Sequence, residues 1–143
     1  MRRIFFSFLV FSFIVFGASS CSLNDDDQEN FYFEPLEIVS ANFPESFKYG
    51  DVYKIKVTSV RPTNCHFFEG FDFTKTGETE RTIISIATVF SENDCEDLTD
   101  QTFENYFDFE VLYTNTYIFK LWTGKDSNGE NEYLTIEVPV VEE

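Results

Sequence analysis

The strongest constraint on the fold is an alternation of apolar and polar residues that recurs in short runs along the chain. In one run, Tyr53, Ile55 and Val57 alternate with polar side chains. Successive side chains of a strand point to opposite faces, so this pattern is typical of a strand with one buried face. No long apolar run with a period of 3.6 residues follows residue 20. The sequence therefore predicts an all-β domain.

Seven runs of this kind are separated by turn residues, which indicates seven strands. The runs lie at 36–38, 53–57, 65–73, 82–90, 107–113, 117–121 and 134–138. Seven short strands in about 110 residues predict an immunoglobulin-like two-sheet antiparallel sandwich. Gly70 predicts a bulge in the third strand, and the nearly continuous apolar run at 82–90 predicts a central position for the fourth. The polar stretch 94–101 is expected to form a loop or one helical turn.

The N-terminus has the three parts of a secretory signal peptide. Two arginines precede an apolar run at 4–16 of about 13 residues, which has the length of a signal-peptide core and is too short to span a bilayer comfortably. Small residues follow, and Ala18-Ser19-Ser20-Cys21 resembles a lipobox, with Ala18 where Leu is commonest. We expect a signal peptide at 1–20 and a lipid on Cys21. The alternative is ordinary cleavage before Cys21, which would leave an odd thiol in an oxidising compartment.

The segment 21–33 is expected to be a flexible tether for a domain at 34–143. It has many polar and turn-forming residues and no apolar period. Fully extended, its residues 22–33 could reach about 40 Å. The cluster Asp25, Asp26 and Asp27 resembles the export signal of surface lipoproteins in the phylum Bacteroidota. We therefore expect a lipid anchor in the outer membrane with the domain on the cell surface; the alternative reading of the cluster is a generic solvated linker.

Two further cysteines lie within the expected domain. Cys65 and Cys95 are 30 residues apart, and the polar stretch 76–80 midway between them is a natural hairpin turn. The two cysteines are therefore expected to face each other at the open end of that hairpin and to form a disulfide. A loop of this length constrains the unfolded chain by about 3.5 kcal/mol on the chain-entropy model. The alternative is a pair of inert buried thiols. The expected export to an oxidising compartment argues against this alternative.

The chain is strongly acidic, and processing makes it more so. Removal of residues 1–20 takes away two of the 10 basic residues and none of the 26 acidic ones, so the formal net charge changes from −16 to −18. Nucleic-acid binding requires clustered Lys and Arg, so no nucleic acid is expected as a partner. The charge also argues against docking flat on an anionic lipid surface.

Three segments are similar to small exported lipoproteins of Bacteroidota that have an immunoglobulin-like domain. They are FPESFKYGDVYKIKV at 43–57, PTNCHFFEGFDF at 62–73 and YIFKLWTGKDSNGENEYLTIEVPV at 117–140. The resemblance covers most of 42–140. It implies an exported immunoglobulin-like domain with Cys65 and Cys95 in matching places, and it implies no activity.

The residue types needed for catalysis are scarce. His66 is the only histidine and directly follows Cys65, so in a strand the two side chains point to opposite faces. No motif for a nucleophile, a zinc site or a phosphate loop is present. A pair of facing carboxylates in a cleft is the remaining arrangement for a small hydrolase, and we expect no enzyme. Phe67, Phe71 and Phe73 lie close together and are expected in the core.

The last two strands are expected to form a hairpin with a turn at 124–129. If Phe119 pairs with Ile136, then Trp122 pairs with Tyr133 on the opposite face. This register places the only Trp at the outer surface of the sheet. Trp122 and Tyr133 are then the best candidates for recognising a glycan or an envelope protein. The alternatives are a cross-strand pair that stabilises the sheet and burial under the N-terminal segment.

The turn of this hairpin carries the main candidate cation site, and Asp94, Glu96 and Asp97 beside Cys95 form a second, weaker acidic cluster. Asp126, Asn128 and Glu130 alternate through the turn, and oxygen ligands on a tight loop suit Ca²⁺. The spacing is not that of an EF-hand loop, so the alternative is an ordinary Asn-Gly turn with solvated acids. No other cofactor is expected.

Together these features predict a lipid-anchored, surface-exposed, non-catalytic binding or adhesion module. The membrane is its partner through the N-terminal lipid, and the outer face of the last hairpin is its expected contact site. The alternative is a structural subunit of an envelope complex on the periplasmic side.

Overall fold

A computed structural model describes residues 30–90 and 94–142 of the chain. Ten strands lie in these two ranges: β1 (Phe31–Leu36), β2 (Ile38–Asn42), β3 (Phe47–Lys48), β4 (Val52–Val60), β5 (His66–Lys75), β6 (Glu80–Phe90), β7 (Thr102–Glu110), β8 (Tyr117–Lys125), β9 (Asn131–Val138) and β10 (Val140–Val141). Within the same ranges, no helix is long and apolar enough to cross a membrane. The all-β sandwich that the sequence predicts is confirmed.

The strands form two main sheets. One contains β1, β5, β6, β8 and β9, the other contains β2, β4 and β7, and the short strands β3 and β10 form a separate parallel pair. The predicted first strand is divided at Glu37, so that β1 joins one sheet and β2 joins the other. β1 begins at Phe31, so residues 31–33, which the sequence assigned to the tether, belong to the sandwich.

β6 is the central strand of the larger sheet, as its apolar run predicted. It pairs with β5 along one edge. Along the other edge it pairs antiparallel with β1 through residues 85–90 and parallel with β8 through residues 80–83. The larger sheet is therefore mixed, whereas the sequence predicted antiparallel pairing throughout.

The core lies between the two sheets, where the apolar faces of the strands meet. On β6, Ile83 and Ala87 point inward together with Val89, because alternate residues of a strand share a face. The side chains of the buried cluster come from most of the strands: Ile38, Phe47, Ile55, Val57, Ile83, Phe109, Val111, Tyr117, Phe119, Leu121 and Val138. Several of these are aromatic, and their rings are in edge-to-face or tilted contact.

The predicted hairpin of β5 and β6 is closed at both ends. At the open end, a disulfide joins Cys65 and Cys95, whose Cα atoms are 5.5 Å apart. At the turn, the buried guanidinium of Arg81 donates hydrogen bonds to the carbonyl oxygens of Gly77 and Glu78. The predicted disulfide and the predicted turn are both confirmed, whereas the role of Arg81 was not predicted.

Tyr117 forms a corner between β7 and β8. Its ring is fully buried, and its hydroxyl oxygen accepts hydrogen bonds from the backbone N–H groups of Leu112 and Tyr113, each at 3.0 Å. A tyrosine that enters a strand and accepts hydrogen bonds from the backbone a few residues upstream is typical of immunoglobulin-like sandwiches. This corner fixes the crossing from the smaller sheet to the larger one.

Replacing Tyr117 with phenylalanine is expected to lower the free energy of unfolding by about 1 to 3 kcal/mol, because two backbone N–H groups lose their acceptor in a part-buried corner. Urea titration of the variant measures this change. Tyr53→Phe is the matched control, since the Tyr53 hydroxyl accepts one exposed hydrogen bond, from the N–H of Lys48. Equal losses in the two variants would contradict the proposed role of the corner.

Candidate functional site

Four phenylalanine side chains form an exposed surface on the outer face of the larger sheet. We call the set Phe31, Phe33, Phe67 and Phe90 the aromatic surface. Phe31 and Phe33 lie on β1, Phe67 lies on β5, and Phe90 ends β6. Each of the four side chains keeps between 36% and 60% of its area exposed. A contiguous group of large apolar side chains on the outside of a domain is typical of an interaction site.

The four rings are in contact with one another. The ring centroids of Phe31 and Phe33 are 5.6 Å apart, and those of Phe31 and Phe90 are 6.1 Å apart. Phe67 contacts Phe90 from the other side at 5.7 Å. These distances lie within the range of favourable aromatic pairs. The aromatic surface is therefore one continuous patch across three adjacent strands.

Strand register explains why these side chains face outward. Phe31 pairs with Phe90, and both Phe33 and Phe67 pair with Thr88, so the four residues share the face of β6 that points away from the core. The bulge that Gly70 predicted is present, because the register of β5 shifts between Phe68 and Gly70.

The bulge also decides which phenylalanines of β5 reach the core. It reverses the alternation, so Phe71 packs against the core cluster whereas Phe67 faces outward. Phe73 contacts core-side rings of β7 and remains partly exposed at the sheet edge. The expectation of a core position is therefore right for Phe71 and wrong for Phe67 and Phe73, which are 48% and 39% exposed.

Among the described residues, Arg61 and Glu69 bring charge beside the aromatic surface. The Arg61 guanidinium lies 5.9 Å from the ring centroid of Phe67, within the range of a cation–π contact. The Glu69 carboxylate accepts a hydrogen bond from the Thr88 hydroxyl at 2.7 Å. The disulfide next to Phe67 holds the same end of the hairpin. The aromatic surface is thus an apolar area on a chain that is otherwise strongly acidic.

Trp122 occupies a different position from the one expected. Trp122 pairs with Tyr133, as the predicted register requires. Its side chain is only 8% exposed, however, whereas that of Tyr133 is 41% exposed. The Trp122 indole N–H donates to the Asn131 side-chain oxygen at 3.0 Å. The prediction that the only Trp is exposed at the outer surface is wrong. The alternative, burial beside the N-terminal segment, is the one observed, because residues 34–37 line a cleft together with Trp122.

The cleft beside Trp122 has a volume of about 570 Å³. Its lining residues are Glu34, Pro35, Leu36, Glu37, Val60, Pro62, Trp122 and Lys125. The volume is that of a small-molecule site. The indole contributes little exposed area to this cleft and its N–H is already hydrogen-bonded, so Trp122 and Tyr133 do not form a joint aromatic platform.

The candidate cation site is a self-contained turn. One Asp126 carboxylate oxygen accepts the backbone N–H groups of Asn128 and Glu130, each at 2.8 Å, and the other accepts the Asn128 amide at 3.2 Å. Donation from the Glu130 backbone, followed by the other donors of the turn, holds the pKa of Asp126 below its ordinary value. Within 30–90 and 94–142, no group of three or more His, Cys, Asp or Glu side chains could hold a metal ion. The structure thus gives the proposed Ca²⁺ site no cluster of ligands.

The turn predicts a specific pH dependence. A carboxyl group whose pKa is lowered in the folded state stabilises the fold above its unfolded pKa, and this stabilisation disappears as the pH falls through the folded value. Asp126→Asn is expected to be less stable than wild type at neutral pH, with a difference that shrinks below about pH 4. Urea midpoints at several pH values measure this. Ser127→Ala leaves the carboxylate and its donors in place and is expected to follow wild type at each pH.

The His66 side chain connects the start of β5 to β1. Its ring is buried, with one nitrogen 2.8 Å from the Thr63 hydroxyl and the other 3.2 Å from a Glu34 carboxylate oxygen. These contacts join the start of β5 to β1 beneath the aromatic surface. Cys65 beside it is in the disulfide, so no Cys–His pair forms.

The remaining site predictions concern the N-terminus. The lipidation site Cys21 and the acidic cluster Asp25, Asp26 and Asp27 lie outside the described residues. Comparison of the chain with protein-family models, with curated proteins and with solved structures finds no match. Fold and site therefore define the class of protein only as an all-β sandwich with an exposed aromatic surface.

Sequence reasoning missed the aromatic surface because its members come from separate segments. One local signal was available: Phe31, Tyr32 and Phe33 are three consecutive aromatic residues directly after a polar stretch. Such a run is unusual in a flexible tether, which is poor in aromatic residues. That signal indicates an ordered segment, but it does not indicate which residues of β5 and β6 would lie beside it.

Proposed function

We propose that this chain is an exported, lipid-anchored, non-catalytic binding module, and that the aromatic surface is its contact site. The observation that carries the proposal is the continuous contact of four exposed phenylalanine rings on one face of a strongly acidic chain. Aromatic side chains that lose water on association contribute much of the binding energy at protein surfaces.

The proposed location is the outer membrane, with the domain on the cell surface. The N-terminal sequence supports it through the signal peptide, Cys21 and the acidic cluster. The disulfide between Cys65 and Cys95 fits an oxidising compartment outside the cytoplasm. The resemblance to small Bacteroidota lipoproteins agrees with this location and belongs to the same proposal.

Two measurements test the anchor and the location. Mass spectrometry of the mature chain is expected to find acyl groups on Cys21. A protease that cannot cross the outer membrane is expected to degrade the protein on intact cells. Protection of an acylated chain would instead place it in the periplasm and favour the structural-subunit role. An unmodified mature N-terminus would refute the anchor.

A binding experiment tests the contact site. The mature chain with Cys21→Ser has no lipid, so only its folded surface can hold it to isolated cell envelopes. The double variant Phe33→Ser with Phe67→Ser is expected to bind at least about ten-fold more weakly, since both rings lie in the proposed contact. Tyr49→Ser and Tyr133→Ser are controls, because both side chains are exposed outside the aromatic surface. If the controls lost as much binding as the double variant, the proposed site would be wrong.

A further inference from the structure

We propose that the aromatic surface contacts the zwitterionic lipid bilayer to which the chain is anchored, so that the domain lies against the membrane. This inference rests on the proposed function, because it requires the lipid on Cys21 and the contact role of the aromatic surface. It names the occupant of that surface: the interfacial layer of an electrically neutral lipid membrane.

The position of the aromatic surface along the chain places it close to the expected lipid anchor. Phe31 is both the first residue of β1 and a member of the aromatic surface. Phe31 is only ten positions after Cys21, and ten residues reach at most about 35 Å when fully extended. The chain before Phe31 therefore ends at the aromatic surface itself. An anchored bilayer is held within reach of these rings, whatever conformation the connecting residues adopt.

The side chains of the aromatic surface suit the boundary of a lipid membrane. Phe is, with Trp and Leu, typical of the apolar faces with which proteins enter the boundary of the hydrocarbon layer. Around the four rings, the outer face of the sheet adds exposed Pro35 and half-buried Ile86. Lipid anchors hold stably when a second membrane-binding signal acts with the first. The aromatic surface supplies such a second signal on the folded domain.

The net charge of the mature chain favours a neutral lipid surface over an anionic one. The formal net charge of the mature chain is −18, so most of its surface is repelled by anionic lipid headgroups and by another copy of itself. Exposed Glu69 lies on β5 two residues after Phe67, and its carboxylate accepts a hydrogen bond from the Thr88 hydroxyl. A neutral headgroup layer does not repel this carboxylate, whereas an anionic one does. The charge balance favours a zwitterionic bilayer over an anionic one, and over a second copy of the chain.

Fluorescence in vesicles tests this contact with the mature, lipid-bearing protein. The protein is reconstituted in vesicles of phosphatidylcholine with brominated acyl chains, which quench nearby indole rings. Phe33→Trp reports on the aromatic surface and Tyr49→Trp on an exposed position outside it. The buried Trp122 contributes the same background to both variants. Phe67→Trp is a second reporter, on β5, in case Phe33→Trp does not fold.

In the expected result, quenching is at least about two-fold stronger at position 33 or 67 than at position 49, and the emission shifts to shorter wavelength. Replacing part of the phosphatidylcholine with anionic phosphatidylglycerol should weaken this quenching. Equal quenching at the three positions would overturn the proposal. So would an emission shift of Phe33→Trp that depends on protein concentration without vesicles, because that result would assign the surface to a second copy.

The proposed function and the proposed contact with the bilayer can fail in separate experiments. If Cys21 carries no acyl group, the anchor of the proposed function is wrong before any vesicle is made. If Cys21 is acylated and envelope binding depends on Phe33 and Phe67, but pure lipid vesicles give no selective quenching, the proposed function stands. In that case the membrane inference is overturned, and the partner is another envelope component.

Discussion

Replacement of Phe119 with alanine is expected to lower the free energy of unfolding by about 4 kcal/mol. Phe119 is fully buried on β8, in the middle of the layer between the two sheets. Its ring centroid lies 4.4 Å from that of Phe43 and 5.0 Å from that of Phe109. Truncation removes these contacts and leaves a cavity that the surrounding strands can close only in part.

Urea or guanidinium titration of wild type and variant measures the change. Phe33→Ala is the matched control, because the same ring is removed from an exposed position on β1. Its expected effect is within about 0.5 kcal/mol of wild type. If Phe33→Ala destabilised the chain as much as Phe119→Ala, the aromatic surface would be part of the structural core. Its assignment as a contact site would then be wrong.

Local sequence patterns carried most of the information about the strands. The alternation of Tyr53, Ile55 and Val57 predicts one buried face, and β4 has Ile55 and Val57 in the core. The predicted pairing of Phe119 with Ile136 is also present. The buried face of a strand depends on neighbours in sequence, and the register of a hairpin depends on one short turn. Both features can therefore be read from a local stretch of sequence.

The order of the strands in the sheet could not be read in the same way. The parallel pairing of β6 with β8 joins Ile83 to Leu121 across a long connection through the other sheet. Alternation states that each strand has an apolar face, but it does not specify the neighbouring strand or its direction. The predicted antiparallel sheet therefore failed where β8 meets β6.

Coverage by another segment limited the prediction of the site. Period and register placed Trp122 on the correct face of β8. Burial under the N-terminal segment was one of the alternatives, but period and register could not decide for it. In the structure the Glu37 carboxylate fills the space where a side chain at Gly124 would lie. The N-terminal strand also brings Phe31 and Phe33 beside Phe90. One unpredicted pairing, β1 with β6, thus places the N-terminal strand beside the expected site and creates the observed one.

Loss of the disulfide is expected to destabilise the domain by about 3.5 kcal/mol, because the bond removes loop-closure entropy from the unfolded chain. The loop between Cys65 and Cys95 spans 30 residues, and Cys65 is almost fully buried. The double variant Cys65→Ser with Cys95→Ser should show this loss in denaturant titrations. A reductant should shift the midpoint of wild type towards that of the double variant, and should leave the double variant unchanged.

The disulfide should also hold the aromatic surface together, and hydrogen exchange can separate this local effect from the global one. The Phe90 N–H donates to the Cys65 carbonyl oxygen at 3.4 Å, so the open end of the β5–β6 hairpin depends on the same pair of residues. Without the disulfide, the amides of His66 and Phe90 should exchange faster relative to those at the turn, where Arg81 still binds Gly77. Uniform acceleration along both strands would contradict local opening. Selective acceleration at the open end would mean that the disulfide holds the end of the hairpin at which Phe67 and Phe90 lie.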